Sequence, residues 1–225
     1  MIVADARSRL TPEDLDLVVR CLAELAGSRR DAEQRLSTEG LDDGLDDPAL
    51  GPHLLRAALP GPSPSLLFYV LVRRALVLQE VTEREVADYV AALLREFAER
   101  GRAYKASTHD DATHHYLVDI VADLSSAHGE RAFKVAAHLG NYSLWFAGLY
   151  PDRVEALRLR RGGPDLSYYD ELGSRGFAEA SDHRLASRTG MGPLFRTAAE
   201  RYPEIRRAVN QVSSQLAMRG RPLAA

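Results

Sequence analysis

The chain has 225 residues, 45% hydrophobic and 27% charged, with one cysteine and a formal net charge of −3. That much apolar sequence fills a core without metals or crosslinks. The single Cys21 excludes an intramolecular disulfide, and the net acidity argues against a dedicated nucleic-acid binder.

The charge is unevenly spread. Residues 1–50 hold six arginines against twelve acids, whereas residues 151–225 hold thirteen arginines against nine. Nearly every base is Arg, with Lys only at 105 and 134, as a coding sequence rich in G and C would give. The first residues, MIVADARSRL, lack the apolar stretch of a signal peptide. The longest apolar block, 66–72, is followed by Arg73 and Arg74 and is too short to cross a membrane. A cytoplasmic protein is expected.

In chain order, Thr11-Pro12-Glu13-Asp14 carries a capping residue, a first-turn proline and first-turn acids. The helix it opens should turn Leu15, Val18, Val19, Leu22 and Leu25 to one face, hold Cys21 as a small buried thiol, and stop at Gly27. Residues 37–64 are rich in Gly, Pro and Asp. The stretch LDDGLDD lacks the spacing of a calcium loop, so a flexible acidic linker is expected, broken by a short helix at 49–58 and ending at Pro60 to Pro64.

Residues 66–78 are apolar on nearly every face, as in a helix at the centre of a bundle. Thr82 with Glu85 has the form of a capping box, followed by a stripe of Val86, Tyr89, Val90, Leu93, Leu94 and Phe97 up to Gly101. After the loop at 101–111 comes a helix with Leu117, Ile120, Val121 and Leu124 inward. A long helix then runs from 130 until Pro151. A turn at 161–164 precedes helical patterns at 166–183, 192–200 and 203–217. Gly140, Gly148, Gly173 and Gly176 fall inside helices, which predicts that the 130–150 and 167–182 helices cross closely near them.

Two polar constellations stand out. His109, Asp110, Asp111, His114 and His115 would place two His/Asp pairs at i, i+4 if a helix begins near Asp110, a spacing that suits zinc, iron or manganese. The same acids equally serve a helix N-terminus. His138, Asn141, Tyr142 and Trp145 share one stripe of the long helix; they can line a pocket for a planar ligand, or satisfy one another in a core. Glu179 and His183 have the spacing of a solvated ion pair. Arg153, Arg158, Arg160 and Arg161, with Arg175, form the densest basic group, suited to an acidic protein surface, phosphate or nucleic acid, while the interleaved Glu155, Asp165, Asp170 and Glu171 can neutralise it locally. No phosphate loop or nucleophile elbow is present.

The segments ADYVAALLREFAERGRAY at 87–104, HLGNYSLWFAGLYPDRV at 138–154 and SYYDELGSRGFAEAS at 167–181 carry a resemblance. With Gly140, Ser143, Leu144, Gly148, Tyr150, Pro151, Tyr168, Tyr169 and Gly173, the C-terminal two-thirds resembles an uncharacterised family of bacterial helical proteins. Asn141 stands where that pattern has Asp, and Leu149 where it has an aromatic. The resemblance implies a helical fold and a bacterial source, and transfers no chemistry.

The expected fold is all-α: a multi-helix, bundle-like domain at 63–218, a smaller N-terminal segment at 1–62 made of a helix and linker, and a disordered tail at 219–225. The expected function is non-enzymatic, a regulatory or protein-interaction domain working through a protein partner or self-association. No cofactor, membrane or nucleic-acid partner is expected. The alternative is a metal- or small-molecule-binding helical protein, including an enzyme, built on the stripe or the 109–115 cluster.

Overall fold

The computed structural model describes residues 1–57, 61–99, 101–108 and 110–218. Among these the fold is all-α, with thirteen helices and no strand. After a 3-10 turn at Arg7–Arg9 come α1 (Pro12–Ala26), α2 (Arg29–Glu39), α3 (Leu41–Leu45), α4 (Leu50–Arg56), α5 (Pro64–Val77) and α6 (Arg84–Phe97). A second 3-10 turn at Arg102–Tyr104 leads to α7 (Leu117–Ser126), α8 (Gly129–Leu149), α9 (Pro151–Arg161), α10 (Leu166–Asp182), α11 (Arg184–Thr189), α12 (Gly192–Glu200) and α13 (Tyr202–Ala217). The expected boundary at Pro60 and the tail at 219–225 lie outside the described residues. No helix among the described residues is long and apolar enough to cross a membrane.

The centre is α8, packed by α10, α13, α7 and α6, with α5 beside α6 and α13. Both α5 and α8 are buried on almost every face, as their unbroken apolar runs demand. The glycines explain how α10 approaches so closely. A Cβ on Gly176 would lie 2.7 Å from the Ala136 carbonyl oxygen and the Gly140 nitrogen, and one on Gly140 would lie 2.6 Å from the Phe177 ring. Gly148 and Gly173 make the same room for α13, against Val209 and Tyr202.

The N-terminal helices differ from expectation. The buried face of α1 is Asp14, Leu17, Val18, Cys21 and Leu22, while Leu15 and Leu25 are exposed. Asp14 turns the helix this way because its carboxylate serves two helix starts. Oδ2 accepts from the Thr11 N–H at 3.1 Å and the Ser63 hydroxyl at 2.7 Å, and Oδ1 accepts from the Ser63 N–H at 2.9 Å. Ser63 in turn caps α5. Gly27 stops α1 as expected, at a φ of +80° that costs glycine little.

Residues 41–56 are not a flexible linker. The first five residues of LDDGLDD form α3, and each of the four aspartates in the stretch meets an arginine from elsewhere. Asp42 meets Arg7, Asp43 meets Arg84, Asp46 meets Arg73 and Arg84, and Asp47 meets Arg35. Leu45, Leu50 and Leu54 are buried in one hydrophobic cluster with α5 and α8 residues, so both sides of the expected division at 62 share a core. The short helix expected at 49–58 is α4. The capping box expected at Thr82 does not form: α6 begins at Arg84 with Glu83 as its cap position, and the Thr82 carbonyl accepts from Arg73 instead.

Candidate functional site

The stripe His138, Asn141, Tyr142 and Trp145 faces α6 and the loop that follows it, and all four side chains are buried. The Tyr89 hydroxyl, on α6, donates to Asn141 Oδ1 at 2.8 Å. The Tyr142 hydroxyl donates to the His115 carbonyl at 3.0 Å. Trp145 sits among Phe97, Tyr104, Tyr142 and Tyr150 in mostly edge-on geometry. The structure therefore brings the four together, in an aromatic interior. Two clefts, of about 400 and 540 Å³, lie elsewhere, one beside Asp14 and Arg20 and one beside Ser181 and Arg196.

Tyr89→Phe removes the donor and leaves the buried Asn141 oxygen unpaired. It should cost about 1–2 kcal/mol in urea denaturation; an unchanged midpoint would contradict this pairing. A carboxylate at 141 would be buried with no cation bonded to it.

The 109–115 cluster is arranged differently from expectation. His109 lies outside the described residues. Residues 110–116 are not helical, and α7 starts only at Leu117, because the His114 N–H is drawn to the Tyr104 carbonyl at 2.7 Å. The i, i+4 premise therefore does not hold. Asp110 accepts from the Ala112 N–H and from Arg131, Asp111 is exposed, and His115 lies exposed against the Tyr104 ring. Among the described residues no three His, Cys, Asp or Glu side chains converge as a metal-binding group. Nor do Glu179 and His183 pair. Glu179 binds Arg175, and His183 stacks on Phe133 while its Nδ1 accepts from the Leu185 N–H.

Among the described residues of that cluster only His114 is buried. Its Nε2 lies 2.9 Å from Asp123 Oδ2, and Arg131 grips the same carboxylate at 2.5 Å. Burial alone would raise the Asp123 pKa; the hydrogen bonds from Arg131 and His114 hold it below the usual range. The His114 ring stands 5.6 Å from the ring of His138, a meeting that the sequence does not signal, since the two are far apart in the chain.

Burial, then the nearby His114 and Arg102, push the His138 pKa from 6.5 down to about 3; the Met1 amino group acts the same way and Asp123 opposes. Folded His138 is therefore neutral while the unfolded residue takes a proton. This stability term is complete above pH 6.5 and is lost as pH falls through the window toward 3. Lowering the pH from 6.5 to 5 should cost about 2 kcal/mol from this group in the metal-free chain. Urea titrations at both pH values test it: His138→Leu should flatten the dependence, and an identical dependence in wild type and variant would contradict the assignment.

The four arginines occupy α9, which buries only Val154. Arg153 lies over the Phe146 ring at 5.7 Å. Arg158 pairs with Glu155 at 2.6 Å. Arg160 and Arg161 have no hydrogen bond or ion pair among the described residues. Between them and Arg158, Leu159 is 70% exposed. Gly162, at a φ of +62°, ends the helix just after this basic turn.

Comparison with protein-family models, with curated proteins and with solved structures gives no match.

Proposed function

We propose that the chain is a non-enzymatic helical interaction domain, regulatory in role, that docks an acidic protein surface through α9. The observation that carries this reading is the outward face of α9. Arg158, Arg160 and Arg161 fill its last turn, two of them without an acidic partner among the described residues, and Leu159 stands exposed between them. An arginine face around an exposed leucine suits a protein partner, because arginine pairs carboxylates with two hydrogen bonds and the leucine supplies an apolar contact. Tyr168, partly exposed at the start of α10, extends the patch through its contact with Tyr169, which meets Phe146 beneath Arg153. Nucleic acid is the weaker reading, since Asp152 and Glu155 interrupt the basic face and the chain as a whole is acidic. The enclosure of the His138–Trp145 stripe supports the same view, because a substrate would have to displace core side chains to reach it.

The test is native mass spectrometry of the untagged chain from its own host, compared with an Arg158→Glu, Arg160→Glu, Arg161→Glu variant. The expected result is a heteromeric complex with an acidic protein that the variant loses while keeping its thermal transition. A bare monomer, a homo-oligomer, or a complex that survives the charge reversal would each overturn the proposal.

A further inference from the structure

His114 and His138 meet beneath the loop between the 3-10 turn at Arg102–Tyr104 and α7, 3% and 2% exposed. Each keeps one buried ring nitrogen without a hydrogen-bond partner, Nδ1 on His114 and Nε2 on His138. Buried polar atoms in folded proteins are almost always paired, so two unpaired nitrogens on neighbouring rings need a cause.

We propose that these two nitrogens form a two-histidine site for copper(I). Two observations converge on it. The first is the carboxylate behind His114: Asp123 on Nε2 fixes the ring proton there and leaves Nδ1 as a lone-pair donor, the arrangement that backs metal-binding histidines. The second is spacing. With metal–nitrogen bonds of about 2.0–2.1 Å, two imidazoles sharing an ion stand with ring centres roughly 5 to 6.5 Å apart, from a tetrahedral to a linear arrangement. The observed separation of 5.6 Å falls within that range.

The choice of ion follows from what surrounds the pair. No third His, Cys, Asp or Glu completes the set among the described residues, whereas a structural zinc ion takes four ligands. Arg102 and Arg131 lie nearby, and Arg131 already neutralises Asp123. Moving an ion into such a site carries a desolvation cost that grows with the square of its charge, which disfavours a divalent ion held by two neutral donors. Copper(I) carries one charge, accepts imidazole, and is satisfied by two or three donors.

The experiment is an anaerobic titration of the full chain with copper(I) against bicinchoninate as a chromophoric competitor. Wild type should withdraw one copper(I) per chain. His114→Gln and His138→Gln should weaken uptake at least 100-fold, and Asp123→Asn roughly 10- to 100-fold, as removal of an outer carboxylate does. Circular dichroism checks that each variant is folded. Should the histidine variants fail to fold, X-ray absorption of the copper-loaded wild type decides: nitrogen donors alone support the site, and a sulfur donor overturns it. No uptake, uptake unchanged in the folded variants, or one-to-one binding of zinc(II) in preference to copper(I) would each overturn the proposal.

Discussion

Asp88→Ala is expected to cost about 3–5 kcal/mol, the loss seen when one partner of a buried ion pair is removed. Asp88 lies on α6, 5% exposed, and its carboxylate receives the Arg7 backbone N–H at 2.8 Å together with the guanidinium Nε and Nη2 at 2.7 Å. Arg7 also lies over the Tyr69 ring and binds Asp42, so this contact joins the first turn, α3, α5 and α6. Burial pushes the Asp88 pKa up, with the Arg7 hydrogen bonds opposing, which means that its ionised form is held there at a cost. Alanine leaves the Arg7 backbone N–H and the Nε and Nη2 side of the guanidinium unpaired beside the Tyr69 ring, with only Nη1 still held by Asp42. The pair itself contributes far less than its rupture costs, so Arg7→Met with Asp88→Leu should recover most of the loss. Urea denaturation of the three proteins checks both halves. A single variant as stable as wild type would contradict the role given to Asp88.

Gly176→Ala is expected to destabilise by about 3 kcal/mol, against the roughly 1 kcal/mol gain that alanine normally brings to a helix interior. The added methyl would meet the Ala136 carbonyl oxygen and the Gly140 nitrogen at 2.7 Å and Leu139 Cβ at 3.0 Å. All three belong to the backbone or root of α8 and cannot rotate away, so α8 and α10 must separate. Moving them opens the packing of Phe177 against Tyr89, Phe195 and Tyr202. Thermal and urea unfolding read the effect directly; a variant more stable than wild type would show that the two helices do not cross at this point.

The helices with strong periodicity were legible in the sequence, and so was the α8–α10 crossing, because glycine inside a helix has few reasons to be there other than close approach. The meeting of His138, Asn141, Tyr142 and Trp145 on one face was also legible from spacing. Spacing left a ligand pocket and a self-satisfied core both open, because the choice depends on the loop after α6. The acidic stretch at 41–47 read as a linker because its charges had no local partners. Those partners, Arg7, Arg35, Arg73 and Arg84, lie on other segments and reach it only in the folded chain. The cluster around Asp110 to His115 read as helical because its acids suit a first turn. The hydrogen bond from His114 to Tyr104 holds that segment out of the helix and turns one histidine inward. That inward turn creates the His114–His138 pair, which no local spacing announces.

The central functional claim concerns α9, and arginine-selective modification with phenylglyoxal tests it most directly. Reaction rates at individual arginines are compared between the host-purified assembly and the isolated chain. Docking through α9 should make Arg158, Arg160 and Arg161 react several-fold more slowly in the assembly, while Arg175 on α10 and Arg196 on α12, each more than 60% exposed, keep their rates. Equal rates at all five arginines, or protection confined to Arg175 and Arg196, would contradict it.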